Sequence, residues 1–206
     1  MSSDDSIQRF NSEEIISEFD LKNGLNSYLD ILLEYNKKVN LVSRETSRSD
    51  LIRLAADCLI PFKFSEPPSG TFFDIGSGGG FPSIILLLAF GNLRGALYER
   101  TQKKARFLEY LIKELNLNAE VHPVDWPPPA SNIESPFDLG TMKLVKLDQR
   151  ILRSLNTALK TGGRFIYYAT TSALGGLDPD PLKQIEYSYY LDDSERPRTF
   201  TIFFNS

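Results

Sequence analysis

Cysteine and histidine are almost absent from this sequence of 206 residues, which contains one of each, Cys58 and His122. A single cysteine excludes an internal disulfide and is typical of a protein in a reducing compartment. One cysteine and one histidine are also too few ligands for a structural zinc site. We therefore expect a cytoplasmic protein without a metal site. A chain of 206 residues is also long enough to form a sizeable hydrophobic core.

Long apolar runs are missing as well. No run of 18 apolar residues occurs, and the apolar residues 84–90 are too few to cross a bilayer. Residues 1–8 are polar and acidic, unlike a secretory signal. The composition, with 41% hydrophobic and 24% charged residues, is that of an ordinary globular protein. We expect no contact with a membrane, and we expect a monomer.

An excess of positive charge is also lacking, because 23 Lys and Arg residues face 27 Asp and Glu residues and give a net charge of −4. This balance argues mildly against a nucleic-acid partner, whose phosphates are neutralised by Lys and Arg. Local patches matter more than the sum, although each is alternatively a solvated helix face. The two candidate patches are Lys37, Lys38, Arg44, Arg48 and Arg53, and Lys103, Lys104 and Arg106.

One stretch carries most of the functional information. Residues 74–82 read DIGSGGGFP and lie between strand formers at residues 71–73 and an apolar run at residues 83–90. An apolar run, clustered glycines and a second apolar run predict a strand, a tight turn and a helix. Glycine accepts positive φ and lets a ligand approach the backbone, while the helix that follows points unpaired N–H groups at the same place. The turn is therefore predicted to bind a polar ligand.

The spacing of the glycines distinguishes between ligands. The dinucleotide fingerprint requires a sixth-position glycine where this chain has Phe81, which disfavours a nicotinamide oxidoreductase, and no Gly-Lys-Ser/Thr follows as in a Walker loop. Asp74 at the strand end would repel a pyrophosphate but suits an ammonium group. The pattern resembles the first motif of S-adenosylmethionine (SAM)-dependent methyltransferases; a loop that only turns a corner is the alternative. The predicted cofactor contacts in this motif are Asp74, Gly76, Ser77, Gly78, Gly80 and Phe81.

Two more acids and an aromatic residue lie at predicted strand ends. Glu99 follows Gly80 by about 20 residues, the spacing at which an acid reaches a nucleoside ribose, and one carboxylate can accept from both ribose hydroxyls. Asp125 and Trp126 follow the third predicted strand, where they could hydrogen-bond an adenine amino group and stack on its ring. The alternatives are a solvated acid for Glu99 and a packed indole for Trp126.

Hydrophobic periodicity predicts strands and helices that alternate along the chain. The predicted strands are residues 71–73, 94–99, 119–122, 137–142, 163–169, 184–191 and 199–204, and the predicted helices are residues 12–19, 25–40, 49–60, 83–90, 102–115 and 148–159. This order predicts an α/β fold with a mostly parallel seven-stranded sheet and an antiparallel edge strand, as in the Rossmann-like fold of SAM-dependent methyltransferases.

The same pattern predicts how the chain is divided. Residues 1–66 are predicted to form an N-terminal helical extension, with disorder over residues 1–9, and residues 67–206 to form the methyltransferase core. By itself the extension suggests only a cap or lid.

Three motifs together resemble one family. Residues 33–41, LEYNKKVNL, resemble the N-terminal helix signature of the bacterial 16S ribosomal RNA methyltransferases called RsmG or GidB. The stretch DIGSGGGFP resembles the glycine motif of that family, including its Phe-Pro end, and residues 103–108, KKARFL, resemble its second-helix signature.

This resemblance implies an enzyme that transfers a methyl group from SAM to N7 of a guanine in small-subunit ribosomal RNA. The implied partner is ribosomal RNA or the small ribosomal subunit. Lys143, just after the fourth strand, is a candidate for holding the guanine in line. The resemblance implies SAM contacts at Gly76, Phe81, Asp125, Trp126 and Lys143.

The chain differs from the pattern of that family at four places. In chain order, Leu54 and Ala55 replace an Arg-His pair, Asp125 and Trp126 replace Ala-Glu, Lys143 replaces an arginine, and residues 168–171 lack a lysine. These differences affect the substrate face more than the cofactor pocket. Two alternatives therefore stay open: a SAM-binding protein without transferase activity, and an enzyme with a small-molecule or protein acceptor.

Overall fold

The computed structural model describes residues 7–128, 136–170 and 176–205, which form one eight-stranded sheet packed against helices. The strands are β1 (Gln8–Phe10), β2 (Gly70–Ile75), β3 (Leu93–Tyr98), β4 (Ala119–His122), β5 (Phe137–Met142), β6 (Leu159–Tyr167), β7 (Lys183–Leu191) and β8 (Arg198–Phe204). The helices are α1 (Ser12–Glu18), α2 (Lys22–Asn36), α3 (Arg48–Leu59), α4 (Ser83–Ala89), α5 (Gln102–Glu114) and α6 (Gln149–Ala158), with a 3-10 turn at Ile60–Lys63.

The sheet is mostly parallel, as the alternating pattern predicts. Its strand order is β1-β7-β8-β6-β5-β2-β3-β4, and β2 pairs in parallel with both β3 and β5. Successive side chains of β2 point to opposite faces, so Phe72 packs in one hydrophobic cluster and Phe73 in the other. The chain runs outward from β2 to β4 on one side and then from β5 to β6 on the other, which places the topological switch point between β2 and β5.

The predicted antiparallel edge strand is wrong in its position. The antiparallel strand is β8, but it lies between β6 and β7 and pairs with both. After β6 the chain skips the neighbouring position in the sheet and forms β7 one position further out. It then turns back, and β8 occupies the position between β6 and β7.

The predicted disorder over residues 1–9 is also wrong for Gln8 and Arg9; residues 1–6 of that prediction lie outside the described part of the chain. The strand β1 pairs in parallel with the end of β7, joining Gln8 to Tyr189 and Phe10 to Leu191, and gives the sheet eight strands in place of seven. An unpaired β7 edge would expose backbone donors and acceptors, and β1 satisfies them there.

The helices of the predicted extension pack on the sheet layer through a continuous apolar face. Residues of α2 and α3 share one buried cluster with α4 and β2. At the centre of this contact the Tyr28 hydroxyl, which is fully buried, donates a hydrogen bond to the Gly79 carbonyl at 2.8 Å. The proposed boundary near residue 66 stays a prediction.

The end of α2 differs from the predicted helix over residues 25–40. The helix ends at Asn36, whose side-chain oxygen accepts hydrogen bonds from the backbone N–H groups of Leu41 at 2.8 Å and Val42 at 3.1 Å. Asn36 is 8% exposed, so this side chain replaces solvent for two partly or fully buried donors. It thereby fixes the path of residues 41 and 42.

Within the described residues, no helix is long and apolar enough to cross a membrane.

Replacement of Asn36 by alanine should destabilise the fold. Asn36→Ala leaves the Leu41 and Val42 N–H groups without their acceptor, and we expect a loss of about 2–3 kcal/mol in the free energy of unfolding. Urea unfolding followed by circular dichroism measures it. The matched control is Asn156→Ala, an exposed asparagine on α6, which should change stability by less than about 0.5 kcal/mol. Equal effects of the two substitutions would contradict the prediction.

Candidate active site

The glycine turn between β2 and α4 has the predicted conformation. Gly76, Gly78 and Gly80 have φ angles of 70°, 54° and 102°, values that side chains with a Cβ rarely adopt. At Gly76 a Cβ would also lie 2.5 Å from Cγ2 of Val145, so the turn and the segment after β5 approach too closely for a side chain.

A cleft of about 540 Å³ opens beside this turn, at the carboxyl ends of β2, β3, β4 and β5. This volume is in the range of small-molecule sites, and the place is where open α/β sheets bind ligands. Leu41, Val42 and Leu54 of the helical extension complete the wall. Of the ten predicted cofactor contacts, eight line the cleft: Gly76, Ser77, Gly78, Phe81, Glu99, Asp125, Trp126 and Lys143.

Glu99 is held in one orientation at the end of β3. Its Oε2 atom accepts a hydrogen bond from the Gly78 N–H at 3.0 Å, and its Oε1 atom accepts one from the Thr101 N–H at 2.7 Å. The residue is 6% exposed, which disfavours the alternative of a solvated acid. Each carboxylate oxygen keeps acceptor capacity for a ligand hydroxyl, because a carboxylate offers about four lone-pair sites.

Asp74 and Gly80 do not line the cleft. Asp74 lies beneath the turn with no exposed surface, and its Oδ1 accepts a hydrogen bond from the Thr141 hydroxyl at 2.7 Å. Its Oδ2 has no hydrogen-bond partner among the described residues. Burial raises the pKa of the Asp74 carboxyl to about 6, against the effect of the Thr141 hydrogen bond. A direct contact between Asp74 and a ligand ammonium, as the sequence suggested, requires the turn to open.

Asp125 and Trp126 occupy very different environments. Asp125 is exposed on the cleft wall, 3.4 Å from the Arg150 guanidinium. Trp126 is 1% exposed; its indole stacks on Phe73 at 4.5 Å, and its N–H donates to the Ser154 hydroxyl at 2.7 Å. The structure therefore favours the packed indole over the predicted adenine-stacking role. Pro129, at the end of the same loop, lies outside the described residues.

Lys143 reaches the cleft but is already paired. Its side chain is almost fully buried, and its ammonium forms an ion pair with the Asp57 carboxylate and lies 4.5 Å from the centre of the Tyr168 ring. Asp57 also accepts from the Tyr189 hydroxyl at 2.5 Å and pairs with Arg198 at 2.9 Å. Burial acts to raise the pKa of Asp57, but Lys143 and Arg198 hold it below its usual value.

Sequence reasoning missed this Asp57 network. The signal was present, because residues 54–59 read LAADCL and place one carboxylate on an apolar helix face. An acid in such a position is buried only when it is paired. Nothing local in the sequence indicates that its partners come from the ends of β5, β7 and β8.

The rim of the cleft carries a small excess of basic residues. Arg100, Lys104, Lys146 and Arg150 line it, against Glu99, Asp125 and Asp148. In the first predicted basic patch, Lys37, Arg48 and Arg53 form ion pairs with acids, which favours the solvated-face alternative for those residues.

Substitution of Asp74 should remove a pH dependence of stability. Its folded pKa of about 6 lies above the ordinary value for aspartate, so the folded state binds the proton more tightly and stability falls as pH rises from about 4 to about 6. We expect Asp74→Asn to remove this fall and to raise the free energy of unfolding at neutral pH by about 1–3 kcal/mol. Urea unfolding across this pH range measures it.

Asp138 is the control of opposite sign. Hydrogen bonds from Lys160 and Thr71 overcome the effect of burial and hold the pKa of Asp138 below its usual value. Its contribution to stability is present at neutral pH and is lost on acidification, so Asp138→Asn should lower stability near neutral pH. A loss of stability with both substitutions would contradict our account of Asp74.

Comparisons with solved structures agree with this fold. A methyltransferase from Pyrococcus furiosus superposes with a TM-score of 0.61 over 88% of this chain and 98% of that chain, at 14% sequence identity. At this level of identity the likeness shows the fold alone, a Rossmann-like methyltransferase fold.

Curated relatives give closer matches in sequence. The ribosomal RNA small subunit methyltransferase G of Wolinella succinogenes is 30% identical over 172 residues, which cover 80% of this chain and 86% of the relative. The protein of the same name from Pelagibacter ubique is 35% identical over 114 residues, so this chain spans about half the length of that relative, 51%. Residues 21–178 match the family described as GidB, rRNA small subunit methyltransferase G. The chain therefore belongs to the GidB family.

Proposed function

We propose that this protein is a SAM-dependent methyltransferase that acts on N7 of a guanine in small-subunit (16S) ribosomal RNA. The observation that carries the proposal is the cleft at the switch point, where the glycine turn contacts the oriented carboxylate of Glu99 through the Gly78 N–H. Membership of the GidB family supports the acceptor class.

The residues of the cleft fit the proposed cofactor. Glu99 would hold the ribose hydroxyls, because its two oxygens are fixed by backbone N–H groups and face the cleft. The backbone of Gly76 and Gly78 would lie against the amino-acid part of the cofactor. The unpartnered Oδ2 of Asp74, beneath the same turn, adds negative potential on the side where an ammonium group would lie. Asp125, exposed on the cleft wall, would accept a hydrogen bond from the adenine amino group.

The chemistry of the proposed reaction requires little from protein side chains. When bound, SAM supplies a methyl group that its sulfonium already activates. Guanine N7 has a lone pair and no proton to lose, so the protein mainly has to align the base and exclude water. The described residues of the cleft wall accordingly include neither cysteine nor histidine.

The buried state of Cys58 argues against a pyrimidine C5 methyltransferase, which needs a thiolate nucleophile. Cys58 has no exposed surface, and burial raises the pKa of its thiol well above the ordinary value. Its Sγ donates to the Leu54 carbonyl at 3.1 Å, so the thiol is directed into α3.

The basic rim supports an RNA acceptor in spite of the net charge of −4. Lys104, Lys146 and Arg150 surround the mouth of the cleft, where they would contact phosphates on either side of the target base. Lys104 lies on α5, which also carries Lys103, Arg106 and Lys113, and Phe107 of this helix packs on Tyr35 of α2 at 4.9 Å.

A different acceptor is the second candidate function. Leu54 occupies the position at which the pattern of the GidB family has an arginine, and it lies on the cleft wall. An apolar side chain there removes a donor that would face the substrate. This observation favours a SAM-dependent enzyme with another acceptor over a complete loss of activity, because the cofactor side of the cleft is intact.

We also propose that the protein acts as a monomer in the cytoplasm, where its ribosomal substrate would be found. Residues 1–66 would form the extension and residues 67–206 the methyltransferase core. The wall formed by Leu41, Val42 and Leu54 supports a role for the extension in closing the cleft.

The proposed activity predicts a direct assay. Tritium-labelled SAM incubated with the protein and unmethylated small ribosomal subunits, or naked 16S RNA, should label the RNA. Hydrolysis should release the label as 7-methylguanine. Tight binding of SAM without transfer to any RNA would reject the proposed acceptor and favour the second candidate.

Substitution of Glu99 should weaken cofactor binding. In Glu99→Gln an amide NH₂ replaces one acceptor and opposes a backbone N–H, so we expect the affinity for SAM and for its demethylated product to fall by about 10- to 100-fold. Calorimetric titration measures it, with the thermal midpoint as a check on folding. The control is Glu120→Gln on the neighbouring strand β4, which alters an exposed ion pair with Arg94 of β3 and should leave the affinity unchanged. Unaltered affinity in Glu99→Gln would remove Glu99 from the ribose role.

A further inference from the structure

Leu144 combines two features that are unfavourable in a folded protein. Its side chain is 89% exposed, the largest value among the exposed large hydrophobic residues that the structure describes. Its backbone has a φ of 60°, in the left-handed region where a branched aliphatic residue is strained. A glycine or asparagine at this position would lower the backbone strain, and a polar residue would avoid exposing an apolar side chain to water. Such combined costs are typical of functional positions.

The strained conformation is imposed by the neighbours of Leu144. Lys143 is anchored by its ion pair with Asp57, and Val145 packs against the glycine turn so closely that its Cγ2 would lie 2.5 Å from a Cβ at Gly76. Leu147, two residues further, is buried in the core. With both flanks fixed, the chain presents Leu144 outward at the end of β5.

The position of Leu144 is at the mouth of the cleft. Its side chain lines the opening together with Lys146 and Arg150, both exposed cations. Val124, 39% exposed, lines the same cleft from the loop after β4. Two exposed apolar side chains among charged residues of both signs do not match the centre of a protein-binding surface, which is a contiguous apolar patch with few charges. They do match a nucleic-acid surface, where cations hold phosphates and an apolar side chain enters the stack.

We propose that Leu144 is a wedge that inserts into the RNA beside the target guanine and fills the space that the base leaves when it enters the cleft. This inference rests on the proposed function. A guanine inside folded RNA is stacked on its neighbours, and its N7 reaches a reaction site in a cleft only after the base leaves the stack. An apolar side chain in the vacated space lowers the cost of unstacking. The anchored flanks keep the wedge in place before RNA binds, so no ordering cost arises at that moment.

Two substitutions separate the wedge from a general contact. Leu144→Gly removes the side chain and the strain, so the thermal midpoint should rise by a few degrees while methyl transfer to folded 16S RNA falls about 10-fold or more. Leu144→Met keeps an apolar side chain and should retain most of the transfer rate. The affinity for SAM should be unchanged in both, because the effect lies on the RNA side.

Leu144→Gly both relieves a left-handed backbone and removes an exposed aliphatic side chain, and each of these two changes has its own control. Asn116→Gly relieves another left-handed residue, φ 50°, at the end of α5, and Ile185→Ala removes another exposed aliphatic side chain, 47% exposed, on β7. Neither residue lines the cleft, and both variants should transfer methyl groups at the wild-type rate.

A fluorescent signature identifies insertion itself. With 2-aminopurine placed beside the guanine that wild-type protein methylates, saturating wild-type protein or Leu144→Met should raise the fluorescence by unstacking, and saturating Leu144→Gly should not. Wild-type transfer or a full fluorescence rise in Leu144→Gly would overturn the wedge and leave the proposed function standing. Absence of transfer to any RNA by the wild-type protein would overturn both.

Discussion

The hydrogen bonds that the Glu99 carboxylate accepts from Gly78 and Thr101 set the shape of the cleft. They tie the glycine turn after β2 to the loop after β3, and both of these segments line the cleft. Four of the five turn residues 76–80 are glycines, so side-chain packing within the turn contributes little to its shape. A functional carboxylate thus also carries part of the local structure, and the geometry for a ligand is present before the ligand binds.

The helical extension also contributes to the cleft. Tyr28 satisfies the Gly79 carbonyl, and the segment fixed by Asn36 brings Leu41 and Val42 to the cleft. On the other side, Asp57 of α3 pairs with Lys143 at the end of β5. The α/β layer alone would therefore lack one wall of the cleft and the counterion of a buried lysine. The helical extension comes first in the sequence, but its helices α2 and α3 share one buried cluster with α4 and β2.

Local sequence patterns were sufficient to predict most of the fold, the glycine turn and the position of Glu99 in the cleft. The glycine spacing predicted a turn with positive φ angles, and the strand-end position of Glu99 predicted its place in the cleft. Features that depend on contacts between distant residues were missed. The strand β1 exists because β7 offers an open edge, and the indole of Trp126 is buried because Phe73 and Ser154 are there to receive it. Neither partner can be read from the neighbouring sequence.

The strand β1 has a practical consequence for handling the protein. Its three residues cover the edge of β7, and the Arg9 guanidinium donates to the Asp192 carbonyl at 2.6 Å just beyond that edge. A truncation that begins at α1, a natural choice for crystallisation, would uncover the backbone of residues 189–191. Uncovered edges recruit strands from other molecules, so such a shortened protein would self-associate. Fusion tags are accordingly better separated from residue 8 by a flexible spacer.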